Sequence, residues 1–315
     1  MSSQPERDRV APRLAAFAGV LALVMILGFS VGRTVGRTDG GPAAHTESGT
    51  AEDGHGHGRG GAPGDGHDGS SGAGTNAPTG AGEASGLAVS AHGYTMVPEA
   101  TGFTAGTPGQ FRFRVDGPDR QPVTTFAVEH DKPLHLVVVR RDLTGYQHLH
   151  PTMAADGTWS VDLRLAEPGS WRAYADFVAV RRDGARTSLT LGVDLVAAGT
   201  YRPVALPAAD RTATVDGHTV SYEGTPEVGT MRPLLFRVNT PAGPAALQPY
   251  LGAYGHLVVL REGDLGYVHV HPEERLAGTA VKFWLAAPSP GRYRVFFDFQ
   301  VAGQVRTAAY TLVVT

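Results

Sequence analysis

The chain has 315 residues, a formal net charge of −3 and no cysteine. The small net charge gives no reason to expect a nucleic-acid partner. The absence of cysteine excludes disulfides, zinc–thiolate sites, iron–sulfur clusters, blue-copper centres and cysteine nucleophiles. There are 42 glycines and 22 prolines beside an ordinary hydrophobic fraction of 42%, so the glycine is expected to be concentrated in disordered segments.

The amino terminus is predicted to anchor the protein in the cell membrane. Residues 14–32 carry no charge, and as a helix they would be about 28 Å long, close to the thickness of a bilayer core. More arginines precede this segment than follow it, which keeps residues 1–13 in the cytoplasm and sends the remainder outside. A cleaved signal peptide of a secreted protein is the alternative, but the apolar run is longer than such peptides need, and small residues at a cleavage site are distant.

A tether is predicted to follow over residues 33–86. From Asp39 to Gly86 the sequence is rich in glycine and has no large apolar side chain, so this segment has almost nothing to bury and should be disordered. Its four histidines are interpreted first as part of the tether's composition, and weak capture of a transition metal by the flexible imidazoles of His55 and His57 is the alternative. The four are His45, His55, His57 and His67.

The remaining sequence is a duplication. Residues 134–151 read LHLVVVRRDLTGYQHLHP and residues 255–272 read GHLVVLREGDLGYVHVHP, with ten of 18 positions identical at an offset of 121. A later pair, PGSWRAYADF at 168–177 and PGRYRVFFDF at 290–299, keeps the same order. Repeats in shared order indicate two copies of one domain, over 87–200 and 207–315.

Each copy is predicted to be an all-β sandwich of about seven strands, immunoglobulin-like or cupredoxin-like. Short apolar or alternating runs are separated by Gly, Pro and Asp at intervals of roughly 8–12 residues, as such sandwiches require. The segments PGSW and PGRY resemble the corner in which an aromatic side chain anchors a late strand, which points to Trp171 and Tyr293.

Histidines converge in the predicted hairpin of each copy. A four-residue loop at 141–144 would place His135 opposite His150, with His148 on the same face. The same register would gather three histidines in the second copy, and Asp176 and Asp298 could orient these rings as outer carboxylates. Three imidazoles are a common donor set for Cu(II) or Zn(II). The predicted metal residues are His135, His148, His150, Asp176, His256, His269, His271 and Asp298, with His130 and Met153 as weaker candidates.

A simpler interpretation of the same motif stays open. His-x-His-Pro can end a strand, with the imidazoles hydrogen-bonded to neighbouring carbonyls and the proline stopping the ladder. The assumed register also matters, because a slip of one residue would turn His135 to the opposite face.

At these two hairpin segments the chain resembles a family of actinobacterial membrane-anchored or secreted proteins without an assigned function, over residues 88–315. More loosely, its architecture is similar to copper-binding periplasmic sandwiches and cupredoxin-like modules. That resemblance implies copper storage or delivery. It does not imply a blue-copper centre, because the late strands carry Asp176 and Asp298 and no cysteine.

The sequence therefore predicts a membrane-tethered extracytoplasmic protein that binds a transition metal for buffering or for delivery to an envelope partner. Copper is favoured, zinc is the alternative, and no organic cofactor is expected. The other hypothesis is a non-catalytic structural or protein-interaction module of the cell envelope without metal. An enzyme is not expected, because the chain has no Gly-x-Ser-x-Gly elbow, phosphate loop or His-Glu-x-x-His helix.

Overall fold

A computed structural model describes residues 84–315, whose regular structure consists of β-strands. Within that range no helix is long and apolar enough to cross a membrane. The predicted cytoplasmic segment, the membrane helix at 14–32 and most of the predicted tether lie outside the described residues.

The first copy forms what we call the first sandwich, with strands β1 (Ser90–Ala91), β2 (Tyr94–Pro98), β3 (Gly102–Thr104), β4 (Pro108–Asp116), β5 (Leu134–Arg140), β6 (Gln147–Leu149), β7 (Thr152–Met153), β8 (Trp159–Arg164), β9 (Gly169–Val180) and β10 (Arg186–Ala198). Its two sheets have the orders β1-β2-β4-β8-β7 and β3-β10-β9-β5-β6. Only the β3–β10 pair is parallel among these strands.

The second copy forms the second sandwich, with strands β11 (Thr212–Val215), β12 (His218–Glu223), β13 (Arg232–Thr240), β14 (Gly243–Pro244), β15 (Leu247–Gln248), β16 (His256–Arg261), β17 (Tyr267–Val268), β18 (His271–Pro272), β19 (Val281–Leu285), β20 (Gly291–Val301) and β21 (Gln304–Val314). One sheet has the order β11-β12-β13-β19-β18, with β14 on β13. The other has the order β15-β20-β16-β17, with β21 on β20.

The aromatic corners predicted from PGSW and PGRY are confirmed. Trp171 donates its indole N–H to the carbonyl of Glu167 at 3.0 Å, and the Tyr293 hydroxyl donates to the carbonyl of Ser289 at 2.7 Å. In both copies the bond runs back four residues from the start of a long strand. This is the corner found in immunoglobulin-like sandwiches, so the predicted fold class is confirmed.

The two sandwiches pack face to face through the sheets that contain β5 and β16. On β5, Leu136 and Val138 lie in the core of the first sandwich, whereas Val137 and Val139 lie in an apolar layer shared with Leu260 of the second sandwich. A strand buried on both faces has a continuous apolar run instead of an alternating one. The run LHLVVV therefore reflects burial between the two sandwiches.

Polar and aromatic contacts fix this interface. The Tyr146 ring stacks on Phe296 with centroids 4.0 Å apart and planes 7° from parallel. The Tyr174 hydroxyl donates to the carbonyl of Leu265 at 2.6 Å. The sandwiches therefore pack through specific side-chain contacts as well as through apolar burial.

The end of the predicted tether is ordered, which corrects the boundary placed at residue 86. Ser85 exchanges two backbone hydrogen bonds with Tyr267, of 2.8 and 3.0 Å, and the Gly86 amide donates to Thr190 at 3.1 Å. A Cβ at Gly192 would lie 2.0 Å from the Gly86 carbonyl, so only glycine allows this close approach. The segment is held because it finds backbone partners on both sandwiches.

Candidate metal centre

The hairpin register predicted for the first copy is confirmed. β5 pairs with β6 so that Leu136 faces Leu149 and Val137 faces His148. This register turns His135, His148 and His150 to one face, and one ring nitrogen of each lies within 4.8 Å of the others.

The spacing of these rings suits a single metal ion. His135 Nδ1 and His148 Nε2 are 3.1 Å apart. The ring centroids are 5.3 Å apart for this pair, 5.1 Å for His135 and His150, and 4.9 Å for His148 and His150. Two imidazoles bound to one tetrahedral ion have ligand nitrogens roughly 3.3 Å apart and ring centroids roughly 5 Å apart. The three rings could therefore accept an ion with little movement.

Hydrogen bonds on the far side of two rings fix their tautomers. His135 Nε2 lies 3.0 Å from the carbonyl of Glu129, and His148 Nδ1 lies 2.9 Å from Asp298 Oδ2. A carbonyl and a carboxylate accept, so each of these nitrogens carries the proton. In the neutral rings, His135 Nδ1 and His148 Nε2 are then both lone pairs, and they face each other. A cation shared by the two nitrogens, either a proton or a metal ion, makes this contact favourable.

Burial disfavours a proton on two of the three rings, His135 and His150. The pKa of His135 is lowered to about 4, chiefly by burial, with the neighbouring His148 also lowering it. Burial likewise lowers the pKa of His150 to about 3. Within residues 84–315, His150 Nε2 is buried without a hydrogen-bond partner, whereas buried polar atoms are normally paired. Both rings are neutral near pH 7 and in the protonation state that a metal requires.

The carboxylate that orients His148 comes from the opposite copy. Asp298 is 2% exposed and accepts hydrogen bonds from His148 at 2.9 Å, from the Tyr146 hydroxyl at 2.9 Å and from the Thr307 hydroxyl at 2.5 Å. Burial and this carboxylate raise the pKa of Tyr146. Asp298 reaches His148 because the packed sheets bring the second sandwich against the first hairpin.

Residues of both copies surround one cavity of about 60 Å³. Its lining includes His135 and His148 of the first sandwich and His256 and His269 of the second, together with Asp176. The sequence predicts one separate site in each copy, and the structure instead brings the two sets together. The face-to-face packing of β5 and β16 is the reason, because both strands turn their histidines toward the shared interface.

His256 repeats the geometry of His135. It is 7% exposed, its Nε2 lies 2.9 Å from the Tyr250 carbonyl, and burial lowers its pKa to about 4. Its ring centroid lies 5.3 Å from that of His130 and 6.2 Å from that of His135. His256 therefore lies beside the first cluster, as a neighbour of the three converging rings.

One predicted residue lies away from the cluster, and for another only the backbone is described. Met153 lies on β7, in the sheet that faces away from the interface, and packs against the core of the first sandwich. The backbone of His271 pairs with Trp284 on β19, and its side chain lies outside what the structure describes.

Comparison with solved structures gives distant similarities. FdeC, an adhesin of Escherichia coli, is 15% identical, with 72% of this chain and 66% of that chain covered and a TM-score of 0.23. InvD of Yersinia pseudotuberculosis is 12% identical, with 72% and 58% covered and a TM-score of 0.23. The chain thus spans no more than two thirds of either structure. No curated protein matches the sequence.

A family model matches the chain twice, over residues 89–194 and 213–315. The two matches correspond to the two sandwiches and together cover more than half of the chain. The chain belongs to this family, which is described as a domain of unknown function, DUF8832.

Proposed function

We propose that the paired sandwiches bind a divalent transition-metal ion through His135, His148 and His150, which we call the three-histidine centre. The observation that carries this proposal is that one ring nitrogen of each of the three histidines lies within 4.8 Å of the others, with His135 Nδ1 and His148 Nε2 3.1 Å apart. Cu(II) is the favoured ion, because among divalent first-row metals it binds nitrogen sites most tightly, and Zn(II) is the alternative.

The contact between Asp298 and the far side of the His148 ring supports this proposal. A carboxylate that accepts the second N–H of a ligating histidine fixes the ring and makes it a stronger donor. In the described part of the chain, the side chains that donate to the buried carboxylate are those of Tyr146, His148 and Thr307, and none of these is lysine or arginine. A metal ion on His148 would supply positive charge next to this buried anion.

The cellular role we propose is metal buffering or delivery outside the cytoplasm. The apolar segment at 14–32 would tether the protein to the membrane, and the glycine-rich segment would let the sandwiches reach an envelope partner. Three imidazole ligands leave room for an exchangeable ligand on the ion, which suits transfer of metal between proteins.

A structural module without metal is the second candidate. His135, His148 and His256 each have an acceptor of the protein at one ring nitrogen, so the cluster could also be an internally hydrogen-bonded part of the interface. In that case the histidines matter for stability alone, and the sandwiches would present their surface to an envelope partner.

Metal titration of the full chain separates the two candidates. The parent for this experiment has His45, His55, His57 and His67 replaced by glutamine, so that the tether contributes no imidazole. Calorimetry with Cu(II) and with Zn(II), against a competing chelator, should show uptake, and His148→Gln should weaken it at least 100-fold. His218→Gln, on β12, is the matched control and should behave as the parent does. Absence of uptake at micromolar metal, or equal uptake by His148→Gln, would contradict the proposal.

A further inference from the structure

Beside the three-histidine centre, the cavity is lined by groups that this centre does not use. These are His130 and Asp176 from the first sandwich and His256 and His269 from the second. Its volume of about 60 Å³ exceeds the roughly 10–15 Å³ that one water needs. Imidazole nitrogens and carboxylate oxygens are the kinds of donor that divalent transition-metal ions bind.

The groups that orient His148 at the first centre have counterparts around the cavity. Asp176 accepts a hydrogen bond from the Thr190 hydroxyl at 3.0 Å and one from the hydroxyl of Tyr267. Asp298 is held in the same way by Thr307 and Tyr146. Each aspartate therefore accepts from a threonine of its own sandwich and a tyrosine of the opposite one. The duplication has placed two such hydrogen-bonded carboxylates at one interface.

His256 lines the cavity and keeps one ring nitrogen unprotonated for the same reason as His135. Its Nε2 donates to the Tyr250 carbonyl, and the duplication relates this contact to that between His135 and Glu129. The proton on Nε2 leaves Nδ1 as the lone-pair nitrogen.

His130 is the feature that differs between the copies. It has a φ of 49°, and its counterpart Leu251 has a φ of 54°, so the turn conformation is common to both. Leu251 is a buried apolar residue, whereas His130 places an exposed imidazole at the cavity. Its centroid lies 5.3 Å from that of His256, close to the separation of roughly 5 Å expected for two rings on one tetrahedral ion.

We propose that the cavity takes a second divalent transition-metal ion, ligated by His130 and His256, with Asp176 and His269 beside it. The inference rests on the proposed function, because His135 and His148 belong to the three-histidine centre and also line the cavity. Asp176 and Asp298 would each place a negative charge near one ion, which offsets the repulsion between the two cations. The protein would then hold two ions of the same kind between its sandwiches.

Metal stoichiometry tests this proposal. The full chain without tether histidines is titrated with Zn(II), and separately loaded with Cu(II) for electron paramagnetic resonance. We expect two ions per chain, with dipolar broadening between the two Cu(II) centres. His130→Asn should weaken one of the two binding steps at least tenfold and remove the broadening. Asparagine suits the positive φ of this position. His92→Asn is the matched control, because His92 is exposed and has a φ of 51°.

The outcomes distinguish the two proposals. Two ions in the parent, with one step weakened in His130→Asn and in His256→Gln, support the second position. One ion in the parent, lost in His148→Gln and kept in His130→Asn, overturns the second position and leaves the three-histidine centre in place. Two steps that are unchanged in both His130→Asn and His256→Gln also overturn it. No uptake in the parent overturns both proposals.

Discussion

At the scale of single residues, the orientation of His148 depends on a carboxylate from the opposite sandwich. Replacing Asp298 by asparagine keeps the size of the side chain but removes the negative charge that polarises the ring. We expect Asp298→Asn to weaken Cu(II) or Zn(II) binding by about 10–100-fold, as is typical for such outer-shell partners. Calorimetry measures this change.

Asp162→Asn is the control for this prediction, because Asp162 is an exposed carboxylate on β8. It should leave both the affinity and the thermal unfolding midpoint unchanged. A structural role of Asp298 alone would lower the unfolding midpoint of the metal-free protein and leave the affinity as it is. That result would contradict the assignment of Asp298 as a positioning residue.

The buried histidines make the stability of the metal-free protein depend on pH. In the folded state the pKa is about 4 for His135, about 3 for His150 and about 4 for His256, whereas an unfolded histidine has a pKa near 6.5. Between about pH 6.5 and pH 4 the unfolded chain therefore binds more protons, and stability falls as the pH falls. Above pH 7 both states are neutral, and this contribution is constant.

Urea unfolding between pH 7.5 and pH 5 checks the prediction. The unfolding midpoint of the metal-free chain should decrease over this range, and the decrease should be smaller in His150→Gln, which removes one titrating ring. A midpoint that is constant over this range, or that rises toward pH 5, would show that these rings are not held neutral.

At the scale of strands and turns, the aromatic corner of the second sandwich is suited to a clean test. Tyr293→Phe removes the hydroxyl that donates to the Ser289 carbonyl at 2.7 Å and leaves the buried ring in place. A hydrogen bond of this kind contributes about 1 kcal/mol, so the free energy of unfolding should fall by about that amount. Tyr254→Phe is the control, since Tyr254 is only partly buried, and it should have little effect. Equal stability of both variants would argue against an anchoring role.

The sequence predicts the hairpin register but not the full course of the strands. Loop length and alternation were enough to place Val137 opposite His148, as observed. In the second hairpin, Val268 pairs with Val259 and Tyr267 pairs with Leu260. The chain then joins the other sheet of the second sandwich at His271. Local alternation cannot predict this change of sheet, because it depends on which strand is free to accept the chain.

At the scale of the whole molecule, the duplication explains why the candidate site lies between copies. Tyr146 and Tyr267 occupy matching positions, as do Asp176 and Asp298. The sequence therefore identifies the residues that form the tyrosine–aspartate hydrogen bonds. It does not say whether each tyrosine reaches the aspartate of its own copy or of the other. The continuous apolar runs of β5 and β16 are the feature of the sequence that indicates packing between the copies, because a strand buried on both faces needs a second layer to pack against.

The same arrangement predicts that metal binding requires the intact interface and not only the three ligands. Phe296 is 3% exposed and stacks on Tyr146 from the second sandwich. Phe296→Ala should cost about 3–5 kcal/mol of packing and loosen the contact that brings Asp298 to His148. We expect weaker metal binding although no histidine is changed, and a thermal transition that separates into two. Val313→Ala, at a position that is 49% exposed on the second sandwich, should change neither. Full affinity in Phe296→Ala would mean that the first sandwich holds the ion alone, with Asp298 dispensable.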